Sequence, residues 1–471
     1  MVILAQATTI RTELENYMEL KALNISQLGK ISGLNPGTIS SILSGNKVIA
    51  VDQLDRITTV MGLEHGHFYE QYIEECLINA PLNWRRIRPF LYRCAELGKL
   101  SCMEKAVALL IDNLTYSPLL FETAEDFFQD NKREAAAILY DVVASSERRQ
   151  HSERLALCQY RLFSLRLGED HSKNLQAAIQ FEPFVERLDE IDQLDALKDL
   201  ANTYRSLRRW DKVEEVAKEM GRKAEILYFM SQSSRRRRTA DEKTTTRPLF
   251  TYIAYSQLLQ ASVCEFNKDY KKALEHTYEY ADLEWVMETD SETEHWKSLF
   301  LEWAHANTIV NKLLSGDVSI LPEYIAYIEA KQHEISSALI NIVVVANRYN
   351  VDINHILDKY KPEIKNWIAD PQQTLGTYTE QVVSERLTRF LYEISYYYLN
   401  KDTFSYGFQY LLDGFNKSIV INNADYTFKF VQLFERYRDF ATIDIQSRYQ
   451  HILFSEGEKY EKKTNNWGCT D

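Results

Sequence analysis

The chain has 471 residues, 68 acidic and 55 basic, and a formal net charge of −13, which excludes a protein that coats nucleic acid non-specifically and leaves room only for a local contact with DNA. A chain this long exceeds one hydrophobic core and should form several modules or an extended repeat array. With 45% hydrophobic residues it is not disordered, and 15 Gly and 9 Pro are too few for the turns of a sheet-rich protein, so an all-α fold of long helices with short connections is expected.

The N-terminal stretch "MVILAQATTIRTE" lacks the basic and apolar segments of a signal peptide. The most apolar run, "ALINIVVVA", is too short to span a bilayer and fits a buried helix. Cys76, Cys94, Cys102, Cys158, Cys264 and Cys469 show neither CxxC pairing nor metal-ligand spacing and read as reduced thiols. A soluble cytoplasmic protein without membrane contact is expected.

A first helix in "TELENYMELKAL" places Leu14, Tyr17, Met18 and Leu23 on one face, with Thr12 and Glu15 at capping-box spacing. A second, from Ser26, buries Leu28 and Ile31 and stops at Gly33, where a left-handed residue turns the chain. A third follows Asn35 with Pro36 in its first turn, directing Ile39, Ile42 and Leu43 inward and Thr38, Ser40 and Ser41 outward. A fourth buries Val51, Leu54, Ile57 and Val60 and ends at Gly62, and a fifth runs through "FYEQYIEECLIN". From Ser26 to Lys47 there is no carboxylate, while Lys30 and Lys47 are cationic.

Ser26–Gln27, the Gly33–Leu34 turn, Thr38-Ile39-Ser40, the Ser44-Gly45-Asn46 exit and "AVDQLDRITTVMGL" resemble the Xre/lambda-repressor-like helix-turn-helix family. The resemblance implies a DNA-binding domain over residues 1–80, with its core at 10–65. In that family's arrangement Gln27 binds a phosphate, and Thr38 and Ser41 face the major groove, flanked by Asn35 and Ser40. Lys30, Asn46 and Lys47 become backbone contacts. The chain departs from the family at Pro36 and Gly37, which stand where base-reading side chains often sit and cannot make bidentate base contacts.

Residues 81–94, with Pro81, Arg85, Arg86, Arg88 and Pro89, are expected to be a connector. From 95 to 460 the recurrent unit is a polar turn, an aromatic, then small or aliphatic residues at helical spacing. It is clearest in "LANTYRSLRRWDKVEEVAKEM", "LLQASVCEFNKDYKKALEHTYEY" and "ISYYYLNKDTFSYGFQYLLDGF". Weaker versions are "AELGKLSCMEKAVALLIDNL", "DNKREAAAILYDVV" and "ANRYNVDINHILDKY". The three clear units resemble tetratricopeptide repeats, with Trp210, Tyr270 and Phe404 at the aromatic position and Ala201, Val213, Ala261, Ala273 and Gly407 at small-residue positions. The resemblance implies a right-handed TPR-like α-superhelix with a concave wall.

Lys198, Asn202 and Arg205 share one helix face, and the resemblance makes the first two a hold on a bound peptide. Trp303, Asn307 and Asn311 form a second line, and Tyr392 and Tyr396 a third. The segment 231–248, with four consecutive arginines, is expected to be a solvated basic loop, and 461–471 a polar tail. No phosphate loop, zinc motif or nucleophile elbow occurs, and His65 and His67 have no third ligand near in sequence, so no catalytic residue, metal or cofactor is expected.

A helix-turn-helix head joined to a tetratricopeptide array resembles the RRNPP peptide-pheromone receptors of Gram-positive bacteria. That family implies a homodimeric transcription regulator that binds a double-stranded operator and is switched by a short signalling peptide. Dimer contacts are expected from Tyr396, Tyr397, Tyr398, Phe404 and Phe408. The alternative is an interaction adaptor whose array holds a partner protein such as a response regulator.

Overall fold

The computed structural model describes residues 9–150, 152–233, 243–331, 334–371 and 380–465. The described residues form helices and turns with no strand, so the all-α expectation holds. The chain divides into two compact units, Met1–Leu165 and Arg166–Asp471.

Unit 1 begins with α1 (Ile10–Leu20), α2 (Ile25–Ser32), α3 (Pro36–Leu43) and α4 (Val51–Val60). Leu14, Leu28, Ile39, Leu54 and Ile57 are fully buried and supply the common core of these four helices. Thr9 caps α1, its side chain accepting from the Thr12 N–H, so the helix starts a turn earlier than the Thr12–Glu15 spacing suggested. Ile31, expected inside, is exposed, and Ser32 is buried in its place. The fifth helix is α5 (Tyr69–Tyr72), which runs on as a π-helical stretch, Ile73–Ile78.

The expected connector is largely a helix, α6 (Trp84–Glu96), with Pro89 inside it. Pro89 forfeits one helical N–H bond. The buried Ile87, Phe90, Leu91 and Cys94 hold the helix against its neighbours regardless. Its arginines are structural as well: Arg86 donates to the Cys76 carbonyl at 2.7 Å and Arg88 pairs with Asp126 at 3.3 Å. Helices α7 (Leu100–Ala108), α8 (Ser117–Gln129), α9 (Arg133–Ser146) and α10 (Glu153–Arg166) follow. Here the fork of Arg161 meets Glu125 through two 3.0 Å bonds, and Glu125 also accepts from the Tyr140 hydroxyl at 2.5 Å.

Unit 2 opens with α11 (His171–Phe181), α12 (Glu190–Ser206), α13 (Trp210–Ser233), α14 (Leu249–Phe266) and α15 (Tyr270–Ala281). It continues with α16 (Ser291–Leu314), α17 (Leu321–Ala330), α18 (Ile335–Tyr349), α19 (Asn354–Lys359) and α20 (Lys361–Ala369). It closes with α21 (Glu380–Asn400), α22 (Phe404–Val420), α23 (Ala424–Tyr437) and α24 (Ile443–Asn465), so the first residues of the expected tail are helical. The "ALINIVVVA" run lies in α18 and is buried apart from a half-buried Asn341.

Each of the six repeat-like stretches falls on a helix–turn–helix hairpin whose turn holds one left-handed residue: Gly98, Asn131, Arg208, Lys268, Asn350 and Asp402, with φ from 52° to 65°. In every case the next N–H reaches the carbonyl five residues back from it, at 2.8–3.1 Å, which is a Schellman closure. Trp210, Tyr270 and Phe404 each form the first residue of the second helix. Gly407 allows a close approach in its hairpin, since a Cβ there would stand 2.7 Å from the Leu399 side chain.

The ends of unit 2 also meet each other. The His171 N–H donates to the Ile421 carbonyl at 2.8 Å, and Asn422 donates to Asp170 at 2.7 Å. Glu169 accepts from Ser384 at 2.9 Å and Lys417 at 3.3 Å, while Arg208 pairs with Glu385 at 3.3 Å. The first helices of the unit are thereby fastened to α21 and to the turn between α22 and α23. The aromatics expected at a dimer interface belong to this unit's own packing. Tyr397 and Phe408 are core residues, Tyr396 packs against that core, Tyr398 stacks on Tyr410 at 5.8 Å and Phe404 on Phe440 at 4.5 Å.

Candidate functional site

The surface of α2 and α3 is built from caps and one close approach. Asn24 and Gln27 form a reciprocal capping box, each side chain accepting from the other's backbone N–H at 2.9 Å. Gly33 adopts φ 67° at the end of α2, as expected, and Asn35 caps α3 through the Gly37 N–H at 2.8 Å. Gly29, which no local sequence signal marks, sets the spacing of the pair: a Cβ there would stand 2.8 Å from the Leu34 carbonyl and 3.1 Å from Pro36.

On this frame Gln27, Lys30, Asn35, Ser40, Asn46 and Lys47 are exposed and Thr38 and Ser41 half-buried. Gln27, Asn35 and Ser41 already make local bonds, Ser41 donating to the Gly37 carbonyl at 2.8 Å. Two further cations, which no local motif marks, border the pair. Arg56 donates to the Gly33 carbonyl at 3.2 Å, and the Arg11 guanidinium lies against Gly45.

The three side-chain lines of unit 2 fare differently. Lys198 is largely spent inside the unit, donating to Asp195 at 2.8 Å. Asp195 also accepts from Thr246 at 2.5 Å and Tyr252 at 2.6 Å. Asn202 accepts from the Tyr255 hydroxyl at 2.5 Å through its oxygen, and Asn307 donates to the Tyr280 hydroxyl at 2.8 Å through its nitrogen. Trp303 is half-buried and packs on Phe300 at 5.2 Å, whereas Asn311 is buried at 1% exposure and does not face out as expected. Tyr392 lies against Tyr426 and Phe430, at 5.9 and 5.5 Å, and Tyr396 packs against the same core.

Around Arg205 and Asn307 the fold gathers a charged cluster that no local motif announces. Glu265, half-buried at the end of α14, has its carboxyl pushed up by desolvation, against the opposing pull of Arg389, Arg205, Arg208 and Arg348. Arg205 also acts on the Tyr280 hydroxyl, which burial pushes up to about 12. Desolvation pushes the Lys429 ammonium down, and Arg208 and Arg389 add to that. Arg208 is held by Glu385, while Glu393 accepts from Asn347 at 2.9 Å. Arg205, Arg389 and Lys429 make no side-chain hydrogen bond or ion pair among the described residues, though Lys429 lies over the Tyr426 ring at 4.6 Å.

The four arginines of the basic loop, Arg235–Arg238, lie outside the described residues; beyond them Lys243 pairs with Asp192 and Arg247 lies over Trp296 at 4.6 Å. His65 faces Arg93 and Thr59, each at 3.3 Å. Among the described residues no group of three His, Cys, Asp or Glu could hold a metal, and no helix is long and apolar enough to cross a membrane. No family model and no curated protein matches the chain. Among solved structures it is similar to a "circular tandem repeat protein with novel repeat topology and enhanced subunit contact surfaces". That chain is 11% identical, with 95% of this chain and 99% of that one covered, at a TM-score of 0.19, too low to establish a shared fold.

Proposed function

We propose that the protein is a cytoplasmic DNA-binding transcription regulator, with α2 and α3 acting as a helix-turn-helix and unit 2 as a TPR-like superhelix that binds a short signalling peptide. The observation that carries the DNA reading is the exposed surface of α2 and α3, free of carboxylates from Ser26 to Lys47 and bordered by Lys30, Lys47, Arg11 and Arg56. On a chain of net charge −13 such a patch suits one local acidic partner, the duplex backbone. The N-terminus of α3 carries Pro36 and Gly37, so base discrimination falls to Thr38, Ser40 and Ser41, to DNA shape and to pairing of two heads in a homodimer.

The peptide reading rests on the hairpin array and on amide groups with unused valence. Asn202 keeps its NH2 group and Asn307 its oxygen, a donor and an acceptor suited to an extended main chain. Peptide control of DNA binding then requires that the peptide favour one arrangement of the array over another. The test selects a duplex from random sequence with purified protein and measures retention against salt. Lys30→Glu with Lys47→Glu should abolish retention at moderate salt and lower the log–log salt slope by about 2 for each bound head. Unchanged retention would sink the DNA reading. A co-purifying partner protein with no DNA held at low salt would favour the adaptor instead.

A further inference from the structure

We infer that the ligand of unit 2 is an acidic peptide, one of whose carboxylates is gripped by Arg205, Arg389 and Lys429; this rests on the reading of unit 2 as a peptide receptor. A guanidinium taken partly out of water loses solvation that an ion pair normally returns, and half-buried arginines are therefore usually paired. The neighbouring Arg208 follows that rule with Glu385, and within unit 1 Arg161 follows it with Glu125. Arg205 and Arg389 do not, and both are half-buried.

The carboxylates nearby do not supply the missing partner. Glu385 and Glu393 are engaged by Arg208 and Asn347. Glu265 lies within reach of the fields of four arginines, yet burial pushes its carboxyl up and so opposes its serving as their counter-charge. A planar carboxylate matches the fork of Arg205 or Arg389, and Lys429 adds a point charge from α23. Arg205 sits one turn from Asn202 on α12, and Arg205 and Arg389 each stand one turn from the Arg208–Glu385 ion pair that joins the end of α12 to α21. Lys429 lies over the Tyr392 ring at 5.9 Å, one turn along α21 from Arg389, so the charge grip and the Asn202 amide belong to one neighbourhood.

The experiment uses full-length protein and two random heptapeptide pools, one with free C-terminal carboxyls and one amidated, captured on the protein and sequenced by mass spectrometry. The wild type should enrich peptides carrying a carboxylate, and Arg205→Gln with Arg389→Gln should reduce that enrichment roughly ten- to a hundredfold. Lys429→Gln changes a side chain that is exposed overall and makes no hydrogen bond or ion pair among the described residues, and should reduce it less. Circular-dichroism melting verifies that each variant is folded. Peptide capture without carboxylate preference, or a preference unchanged in folded variants, overturns the inference and leaves the peptide reading standing. If no peptide is captured while inorganic phosphate raises the melting temperature of the wild type alone, a free anion replaces the peptide and both are overturned. No capture and no phosphate effect also overturn both.

Discussion

Arg93 divides one guanidinium among three neighbours in unit 1: Nε donates to Asp55 at 2.7 Å, one NH2 group faces His65 at 3.3 Å and the other pairs with Glu96. Asp55 is nearly buried and also accepts from the Tyr69 hydroxyl at 3.0 Å, so removing Arg93 strands a carboxylate with little water to take its place. Arg93→Ala should therefore lower the stability of unit 1 by about 3 kcal/mol. Arg93→Lys should recover less than half, because one nitrogen cannot serve three directions. Urea denaturation of the two variants measures both. In sequence Asp55 is one more polar residue of an amphipathic helix, since its burial depends on α6 arriving 38 residues later. Gly29 is invisible for the same reason: its need for a bare Cα comes from the Leu34 carbonyl folded back against it.

The helical hairpins show the opposite case, in which local sequence carries most of the information. A polar residue, a left-handed turn and an aromatic opening the next helix recur because a helix must close its last carbonyls before the chain can reverse. Four of the six turns use Asn, Asp or Gly, which tolerate the left-handed region, whereas Lys268 and Arg208 adopt it at φ 64° and 57° with a full side chain. Lys268 is exposed, and no side-chain bond would be lost on replacing it. Lys268→Gly should stabilise unit 2 by about 1 kcal/mol, and Lys268→Val should destabilise it by a similar amount. The shift in thermal midpoint, read for both variants, decides it: equal midpoints would show that the turn is held by packing alone.

The closure of unit 2 joins segments some 250 residues apart, and His171 sits at it. Its imidazole is 8% exposed with Nε2 unpartnered, and burial pushes its titration below the ordinary histidine value, against the opposing pull of Glu385, Asp170 and Asp425. The folded state therefore keeps His171 neutral at a pH where the unfolded chain already takes up the proton. Stability contributed by this group is present above about pH 6.5 and falls as pH drops through that value. The urea midpoint of unit 2 should decrease between pH 7.5 and pH 5.5, and His171→Leu should flatten part of that slope. An identical slope in the variant would remove His171 from the account.

Periodicity, caps and scarce Gly and Pro were enough to give an all-helical chain, the bounds of α2, α3 and α4, and the six hairpins, because each depends on bonds and burial within about twenty residues. The partition at residue 165, the structural use of Lys198 and Asn311, and the loss of the C-terminal aromatics to their own core could not be read that way. Neither could the gathering of Arg205, Glu265, Arg389 and Lys429 from four helices. A side chain on an amphipathic helix has the same local signal whether it meets solvent, a partner charge or another helix. Which of these it meets is settled by contacts between distant segments, and those contacts leave no periodic trace in the chain.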